Sequence, residues 1–377
     1  MNPTVAVVRG KFLNRYEMQF FEPLTEKFAI TAFGSKTSYH DAFAFPVVKL
    51  PSPVDLPEFP FKMPILNRLF IDGHYLWGLE KRLEGFDLIH AAETYFHYTQ
   101  QCLHAKKKGY VKKVIATVLE NIPFNNEGIW GRKQFKRRAR EELDLLIALT
   151  HKTKDALILE GADPAKIVIL PHFIDTKRFR PTTAKRTKKN EFVILFCGRV
   201  EAYKGVFDIV EAARILLNDP GLKSFTLKFL MAGHGIQEKR VLNLERRYGL
   251  EPFFSHTSSS YDDMPGLYNQ ADIFVAPSKS TSTWEEQYST VLLEAQASGL
   301  PIVTTNSGGI PENVGDAGLL VEPGNAQAIA ESLKRFILSI TLRQAYAKKA
   351  RERAVRVHDV KIGAQKLADI YRRVLSS

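Results

Sequence analysis

Residues 285–303 read EEQYSTVLLEAQASGLPIV, and this stretch decides how the chain is interpreted. Acidic residues open it, an apolar run typical of a buried helix starts near Ser289, and Gly299 suits a helix C-terminus. Glu286 and Glu294 are separated by seven residues, so Glu286 lies just before the predicted helix and Glu294 about one turn inside it. An unpaired carboxylate among apolar residues is costly, so Glu294 needs a ligand hydroxyl or a structural partner.

Outward from this stretch, short apolar runs alternate with helix-length segments. This alternation predicts βαβ units and parallel sheets that are covered by helices on both faces. The predicted strands are Val5–Val8, Phe28–Phe33, Leu88–Ala91, Val114–Val118, Leu145–Thr150, Ile167–Leu170, Phe192–Cys197, Thr226–Ala232, Ile273–Ala276, Pro301–Thr304 and Gly318–Val321. Residues 172–190 are largely polar and basic, which predicts a linker between two α/β domains. We expect ligands to bind beyond the carboxyl ends of the strands, in a cleft between these domains.

The composition narrows the possible classes of protein. The chain has 377 residues, 45% of them hydrophobic and 25% charged, as in a globular protein. Its formal net charge of +12 predicts anionic partners. Cys102 and Cys197 cannot form a disulfide framework and do not have metal-ligand spacing. The sequence contains neither a membrane span nor a signal-peptide pattern, and we expect a cytoplasmic protein.

A second motif follows the strand that ends near Cys197. Gly198 permits close backbone approach, and two cations, Arg199 and Lys204, lie on a loop that opens a helix. This arrangement suits a clamp for a diphosphate, with surface cations beside a turn as the alternative. Gly233 and Gly235, after another strand, suit a turn that approaches a nucleotide, although any βα turn can use glycine.

With these motifs the chain resembles the retaining glycosyltransferases of family four, which have the GT-B fold. The match rests on their E-x7-E signature, Glu286 to Glu294, and on the continuation through Val303. Residues 169–181, 198–205, 267–278 and 308–312 are similar to further family segments in the same order. The resemblance implies an α/β protein of two Rossmann-like domains that face a cleft. It also implies a C-terminal helix that crosses back to the N-terminal domain.

The resemblance assigns a range to each domain. The acceptor-binding N-terminal domain would span residues 1–175, and the domain that binds the nucleotide sugar would span residues 190–355. The C-terminal helix would span residues 356–377.

The resemblance also implies roles for individual residues. Arg199 and Lys204 would neutralise the donor diphosphate. Glu294 would bind the ribose hydroxyls, and Glu286 would contact the donor sugar as the catalytic carboxylate. The remaining donor-binding residues would be Ser289, Thr290 and Val291, through backbone amides that hold the distal phosphate, and Gly198, Gly233 and Gly235, which shape the nucleotide pocket.

The chain departs from the family pattern at several positions. Ser289 replaces the usual glycine after the aromatic residue of the signature, and residues 116–121 lack the histidine that the family often has near the reacting centre. The acceptor-side candidates are therefore Gly10, His90, Glu120 and Asn121. For His90, a hydrogen-bonded structural role is an equally open interpretation.

The predicted chemistry needs no cofactor beyond the nucleotide-diphosphate sugar. Two fixed cations and a helix N-terminus can stabilise a departing diphosphate electrostatically. The sequence has no Asp-x-Asp motif, and we expect transfer to a hydroxyl acceptor without a metal. Retention at the anomeric carbon is implied by the resemblance alone. Whether Glu286 attacks the sugar or only orients it stays open, as do the donor's base and sugar.

A basic segment at residues 130–140 raises the question of a membrane. Six of the ten residues 131–140 are basic, and Trp130 and Phe135 are interleaved with them. Such a segment can lie on an anionic membrane, which predicts peripheral association with the inner membrane face. The alternative is a solvated basic face beside core aromatics.

Two other functions remain open on the sequence. A catalytically silent nucleotide-sugar binder fits the substituted Ser289 and the missing histidine. A nucleic-acid-binding protein fits the net charge of +12, but the sequence contains no recognisable nucleic-acid module. That second alternative also leaves the Glu286–Glu294 pattern unexplained, so we expect no nucleic-acid partner.

Overall fold

The computed structural model describes residues 2–182 and 190–377, which form two compact α/β units. Met1–His172 and Val360–Ser377 make up the N-terminal unit, and Phe173–Asp359 make up the C-terminal unit. Among the described residues, no helix combines the length and the hydropathy that a membrane span requires.

The N-terminal unit is built on a parallel sheet of seven strands. The strands are β1 Thr4–Gly10, β2 Ala29–Ser35, β3 Val47–Leu50, β4 Leu88–Ala92, β5 Lys113–Val118, β6 Leu145–Ala148 and β7 Ile167–Ile169. They lie in the order β3-β2-β1-β4-β5-β6-β7. The helices are α1 Arg15–Met18, α2 Lys62–Phe70, α3 Leu79–Arg82, α4 His97–Lys107, α5 Arg132–Glu142 and α6 His151–Leu159. The apolar run of β1 is buried on both faces, as expected for a central parallel strand.

The C-terminal unit repeats this plan with six strands. They are β8 Glu191–Cys197, β9 Thr226–Ala232, β10 Phe254–Thr257, β11 Ile273–Ala276, β12 Ile302–Thr305 and β13 Gly318–Val321. Their order is β10-β9-β8-β11-β12-β13, and all pairs are parallel. The helices are α7 Val206–Leu217, α8 Glu238–Tyr248, α9 Met264–Asn269, α10 Thr290–Ala297, α11 Ile310–Val314, α12 Ala326–Leu338 and α13 Ile340–Val357.

The last helix, α14 Val360–Ser376, belongs to the N-terminal unit, as the resemblance implied. Tyr371 anchors it, because its ring is fully buried and its hydroxyl lies 2.7 Å from Nδ1 of His90. His358 and Asp359 separate α13 from α14, and the predicted start of the C-terminal helix at residue 356 lies inside α13.

The predicted strands are all present, and two further strands, β3 and β10, were not predicted. Both lie at sheet edges. Ser255 and His256 of β10 are exposed, and only Leu50 of β3 is buried. An edge strand has one covered face at most, so its sequence lacks the apolar run by which a central strand is identified.

The segment predicted as a linker is partly integrated into the C-terminal unit. The amide of Ile174 donates to the carbonyl of His358 at 2.8 Å, and Arg351 donates to the carbonyls of Thr176 and Phe179. The division between the units therefore falls after His172, and residues 183–189 of the predicted linker lie outside the described residues.

Candidate active site

The strand order of the C-terminal unit reverses between β8 and β11. These neighbours are not consecutive in the chain, so the loops that follow them diverge at the carboxyl edge of the sheet. Open parallel sheets bind ligands at this switch point. The loop after β8 contains Gly198, Arg199 and Lys204, and the loop after β11 contains Glu286. The topology therefore brings the two predicted catalytic motifs to one place.

Glycines let the loops after β8 and β9 approach each other. Gly233 has a φ of +135°, and a Cβ atom there would lie 2.0 Å from the carbonyl oxygen of Gly198. A Cβ on Gly235 would lie 2.3 Å from the carbonyl oxygen of Val200. The amide of Val200 donates to the carbonyl of His234 at 2.9 Å, which ties the two loops together. The predicted glycine positions thus have a steric reason within the unit itself.

Lys204 and Glu286 form an ion pair. Nζ of Lys204 donates to Oε2 of Glu286 at 2.6 Å, and the two side chains are only 16% and 10% exposed. The same ammonium lies 4.8 Å from the ring centroid of Trp284. The structure therefore joins two of the predicted catalytic residues, 82 positions apart in sequence, into one charged pair.

The backbone around Glu286 is held from two sides. Oγ of Ser278, just after β11, donates to Oε2 of Glu286 at 2.9 Å. The amide of Gly309 donates to the carbonyl of Glu286 at 2.7 Å. A Cβ atom on Gly308, whose φ is +55°, would lie 1.9 Å from that same carbonyl oxygen. Only glycine fits at position 308, which explains the first glycine of the Gly-Gly that follows the signature.

Arg199 is exposed and differs from Lys204 in its pairing. Its guanidinium carbon lies 5.4 Å from the ring centroid of Tyr203, and the Tyr203 ring lies 4.1 Å from that of Trp284. Within residues 2–182 and 190–377, no carboxylate forms an ion pair with Arg199. This guanidinium is held against an aromatic pair and keeps its donors for an anion.

Glu294, on α10, is fully buried and only half satisfied. Its Oε2 accepts a hydrogen bond from the hydroxyl of Tyr268 at 2.6 Å, whereas its Oε1 has no hydrogen-bond partner among the described residues. Burial raises the pKa of Glu294 to about 7, against the lowering effects of the Tyr268 hydrogen bond and the Arg178 charge. A buried acceptor without a partner needs an explanation, and a ligand hydroxyl provides one.

The start of α10 is close to where the sequence predicted it. Ser289 is the N-cap residue, its side chain makes no capping hydrogen bond, and its carbonyl accepts from Nδ2 of Asn313 at 3.0 Å. Tyr288 is buried, and its hydroxyl lies 3.4 Å from Nδ1 of His358. The first amides of the helix, including those of Thr290 and Val291, have no intrahelical acceptor and can bind an anion.

In the N-terminal unit, the order reverses between β1 and β4. Gly10, at the end of β1, has a φ of +54° and lies against the ring of Tyr98. His90, on β4, is buried, and its two ring nitrogens each lie 2.7 Å from a hydroxyl, that of Tyr371 and that of Thr117. Burial and the nearby charge of Arg9 hold the pKa of His90 well below its usual value. A neutral, fully bonded imidazole has a structural role, so the geometry does not support the predicted acceptor contact of His90.

Glu93 is a buried carboxyl that the sequence analysis missed. It follows β4 in a left-handed conformation with a φ of +59°, and its Oε1 accepts from the amides of Leu119 and Glu120. Its Oε2 has no partner in the described part of the chain. Burial, with the charge of Glu120 as a second cause, raises the pKa of Glu93 to about 8. The sequence feature that could have identified Glu93 is a lone acidic residue directly after a buried strand.

Glu120 and Asn121 lie beside Glu93, at the end of β5. The carboxylate of Glu120 accepts from the amide of Ile122 at 3.0 Å and from Nδ2 of Asn125 at 2.7 Å, and burial raises its pKa. Asn121 is buried. Both predicted residues therefore lie at the carboxyl edge of the sheet, where a ligand of this unit is expected.

Most of the basic residues in the segment 130–140 form ion pairs with carboxylates of their own unit. Arg132 pairs with buried Asp72 at 2.8 Å. Lys136 and Arg140 pair with Glu160 at 2.5 and 2.9 Å. These three cations are four residues apart, so they share the inward face of α5. The sequence shows six charges but not the distant carboxylates, Asp72 and Glu160, that pair with three of them.

Comparison with protein families decides the identity of the chain. Residues 179–353 match the family described as glycosyl transferases group 1, and residues 31–178 match Glycosyltransferase Family 4. The chain belongs to the family-four glycosyltransferases. The D-inositol 3-phosphate glycosyltransferase of Actinosynnema mirum is 32% identical over 296 residues, which are 74% of this chain and 65% of that protein. A glycogen synthase of Mycobacterium tuberculosis is 29% identical over 61% of this chain and 54% of its own. The chain thus matches less than two thirds of these relatives' lengths.

Solved structures of glycosyltransferases share the two-unit fold of this family member. Sucrose-phosphate synthase from Thermosynechococcus elongatus is 18% identical and superposes with a TM-score of 0.79 over the whole of both chains. Anabaena HepE in complex with UDP and glucose is 17% identical, with a TM-score of 0.77 over 99% of this chain and all of its own. These likenesses establish the GT-B fold.

Proposed function

We propose that this chain transfers a hexose from a nucleotide-diphosphate sugar to a hydroxyl acceptor, with retention and without a metal ion. The observation that carries the proposal is Oε1 of Glu294. This carboxylate oxygen is buried on α10 and has no hydrogen-bond partner among the described residues. Ribose offers a hydroxyl pair to such an acceptor. Retention rests on the family resemblance, and metal independence is checked by assay in the presence of a chelator.

The choice of a donor to test rests on the ligands of the structural neighbours. HepE has been solved with UDP, with UDP and glucose, and with UDP-glucose. UDP-glucose is therefore the first donor to test on this chain. The relatives act on dissimilar acceptors by name, so the acceptor is proposed only as a hydroxyl compound.

The charged groups suggest how the leaving diphosphate is stabilised. Arg199 has unused donors, and Lys204 has three N–H groups, of which Glu286 takes one. When a diphosphate binds, Lys204 can donate to a phosphate oxygen and still hold Glu286. Glu286 would then contact the sugar hydroxyls, oriented by Lys204 and Ser278. Fixed cations at the leaving group need little reorganisation as negative charge develops, which lowers the barrier.

Calorimetric titration with UDP tests the ribose role of Glu294. Glu294→Gln keeps the shape and an acceptor for Tyr268 but removes the charge, so we expect UDP affinity to fall by about 10-fold to 100-fold. Glu331→Gln, an exposed carboxylate on α12, is the matched control and should bind as the wild type does. Equal affinity in the wild type and Glu294→Gln would contradict the assignment.

Turnover measurements separate the enzyme from the silent binder. The silent-binder alternative predicts that the wild-type chain binds UDP but neither transfers nor hydrolyses the sugar of any nucleotide sugar. Consumption of donor supports the enzyme.

We also propose peripheral association with an anionic membrane through the N-terminal unit. The residues 130–140 support it less than their composition suggests, because Arg132, Lys136 and Arg140 are paired internally. Exposed Lys133 and Trp130 remain available from that segment, whereas Arg137 lies 3.9 Å from a carboxylate oxygen of Glu141.

A further inference from the structure

Helix α2 and the residue before it expose large apolar side chains. Phe61, Ile65 and Leu69 are 77%, 43% and 72% exposed, and their spacing of four residues puts them on one helical face. On the other side, Lys62 and Leu66 are only 5% and 3% exposed. A helix packed on a globular core normally directs its apolar side inward. The outward apolar face of α2 therefore suggests a second surface that covers it.

The orientation of α2 is fixed by contacts of the buried Lys62. Nζ of Lys62 donates to the carbonyls of Val54 and Leu56 at 3.0 and 2.6 Å, and it pairs with Glu58 at 2.9 Å. Phe61 and Ile71, at the two ends of the helix, have φ values of +59° and +64°. A left-handed conformation is costly for a bulky residue and most of all for a β-branched one, and strain of this kind concentrates at functional positions.

The exposed apolar surface continues onto the loop before α5. Trp130 is 76% exposed. The next residue, Gly131, lies against Ile71, because a Cβ atom there would be 2.8 Å from the Ile71 side chain. The ion pair of Arg132 with Asp72 fixes this contact. Trp130 therefore projects next to the C-terminal end of α2.

Cations accompany these apolar side chains. Arg68 is exposed on α2 between Ile65 and Leu69, and Lys133 is exposed one turn after Trp130. The exposed carboxylate of Glu58 is paired with Lys62. Aliphatic and aromatic side chains flanked by arginine and lysine are typical of a helix that lies in the interface of an anionic bilayer.

We propose that Phe61, Ile65, Leu69 and Trp130, with Arg68 and Lys133, form a docking surface for an anionic lipid bilayer, here called the α2 surface. The helix lies parallel to the membrane, its apolar side chains enter the headgroup region, and the two cations bind lipid phosphates. The inference deepens the proposed membrane association and moves its centre from residues 130–140 to α2. The chemistry selects an anionic lipid surface, because the apolar side chains are combined with two cations, Arg68 and Lys133, that form no ion pair among the described residues.

Co-flotation with lipid vesicles tests the α2 surface. Vesicles of phosphatidylcholine with 30 mol% phosphatidylglycerol are compared at low salt with vesicles of pure phosphatidylcholine. We expect the wild type to float with the anionic vesicles, and Ile65→Ser with Leu69→Ser to lower vesicle affinity by about tenfold or more. Leu159→Ser, an equally exposed apolar residue on α6, is the control and should float as the wild type does.

Two further measurements make the result specific. Arg68→Gln with Lys133→Gln should weaken binding to the anionic vesicles alone. Fluorescence quenching by brominated lipids should be strong in the wild type and much reduced in Trp130→Phe, because Trp130 is in the contact. UDP binding, measured on every variant, should stay unchanged, which separates a failure of this surface from a failure of the donor site.

The proposal is overturned if the wild type does not bind anionic vesicles at low salt, or if the double serine variant binds them equally well. It is also overturned if sedimentation shows that the α2 surface joins two copies of the chain and vesicles do not compete.

Discussion

Glu294 in the C-terminal unit and Asp72 in the N-terminal unit are both buried, but they differ in the number of hydrogen bonds that their carboxylates accept. Glu294 has one hydrogen bond, from Tyr268, and its second oxygen has no partner among the described residues. Asp72 accepts from Arg132, from the ring and amide of His74, and from the amide of His97. Burial raises the pKa of Glu294 to about 7, whereas His74 and Arg132 outweigh burial and lower the pKa of Asp72.

The difference distinguishes buried carboxylates that are satisfied by the fold from those that can still accept a hydrogen bond. A buried carboxylate with every acceptor position filled stabilises its loops and has nothing left to offer a ligand. A half-satisfied carboxylate keeps an unmet hydrogen bond until a ligand supplies it. The number of partners, and not the degree of burial, distinguishes the two.

The largest expected effect is the loss of the Asp72 ion pair. Asp72→Ala leaves Arg132 buried without a counter-charge, so we expect unfolding in urea to require about 3–5 kcal/mol less free energy. Asp369→Ala removes an exposed partner of Arg372 in the same unit and should change the free energy by less than about 1 kcal/mol. A loss as small as that of the control would show that the two units do not differ in this way.

The next effect concerns Arg199, which forms no ion pair with any carboxylate among the described residues. Arg199→Ala should lower donor turnover by about 10²–10³, as for the loss of one preorganised donor, and leave the unfolding free energy nearly unchanged. Arg214→Ala, an exposed cation that pairs with Glu211 on α7, is the control. Turnover near the wild-type value in Arg199→Ala would exclude this residue from the phosphate clamp.

The smallest effect is a pH dependence at Glu93. Its native pKa of about 8 lies above the ordinary value of 4.5, so the folded state holds a proton that the unfolded state loses. Stability should therefore fall as pH rises from 5 to 9, and Glu93→Gln, which cannot ionise, should show a shallower fall over the same range. The two proteins should be similarly stable at pH 5. Parallel stability profiles across this range would refute the buried-carboxyl interpretation.

The sequence by itself determined the architecture and located the donor-side candidates within short segments. Central strands such as β1 and β8 are buried on both faces, so their apolar runs can be recognised without knowledge of their neighbours. The signature residues Glu286 and Glu294 lie within one short segment, so their spacing along a loop and a helix was readable. The edge strands β3 and β10 were not, because their sequences are only partly apolar.

Only the tertiary structure decided which charges are free. Lys204 and Glu286 are 82 residues apart, and Arg132 and Asp72 are 60 residues apart. His90 is hydrogen-bonded to Tyr371, a residue 281 positions away on the last helix. No local pattern encodes such partners, since chain topology alone brings them within hydrogen-bond distance. A sequence therefore shows how many charges a segment has, and the fold determines which of them remain for a phosphate, a sugar or a membrane.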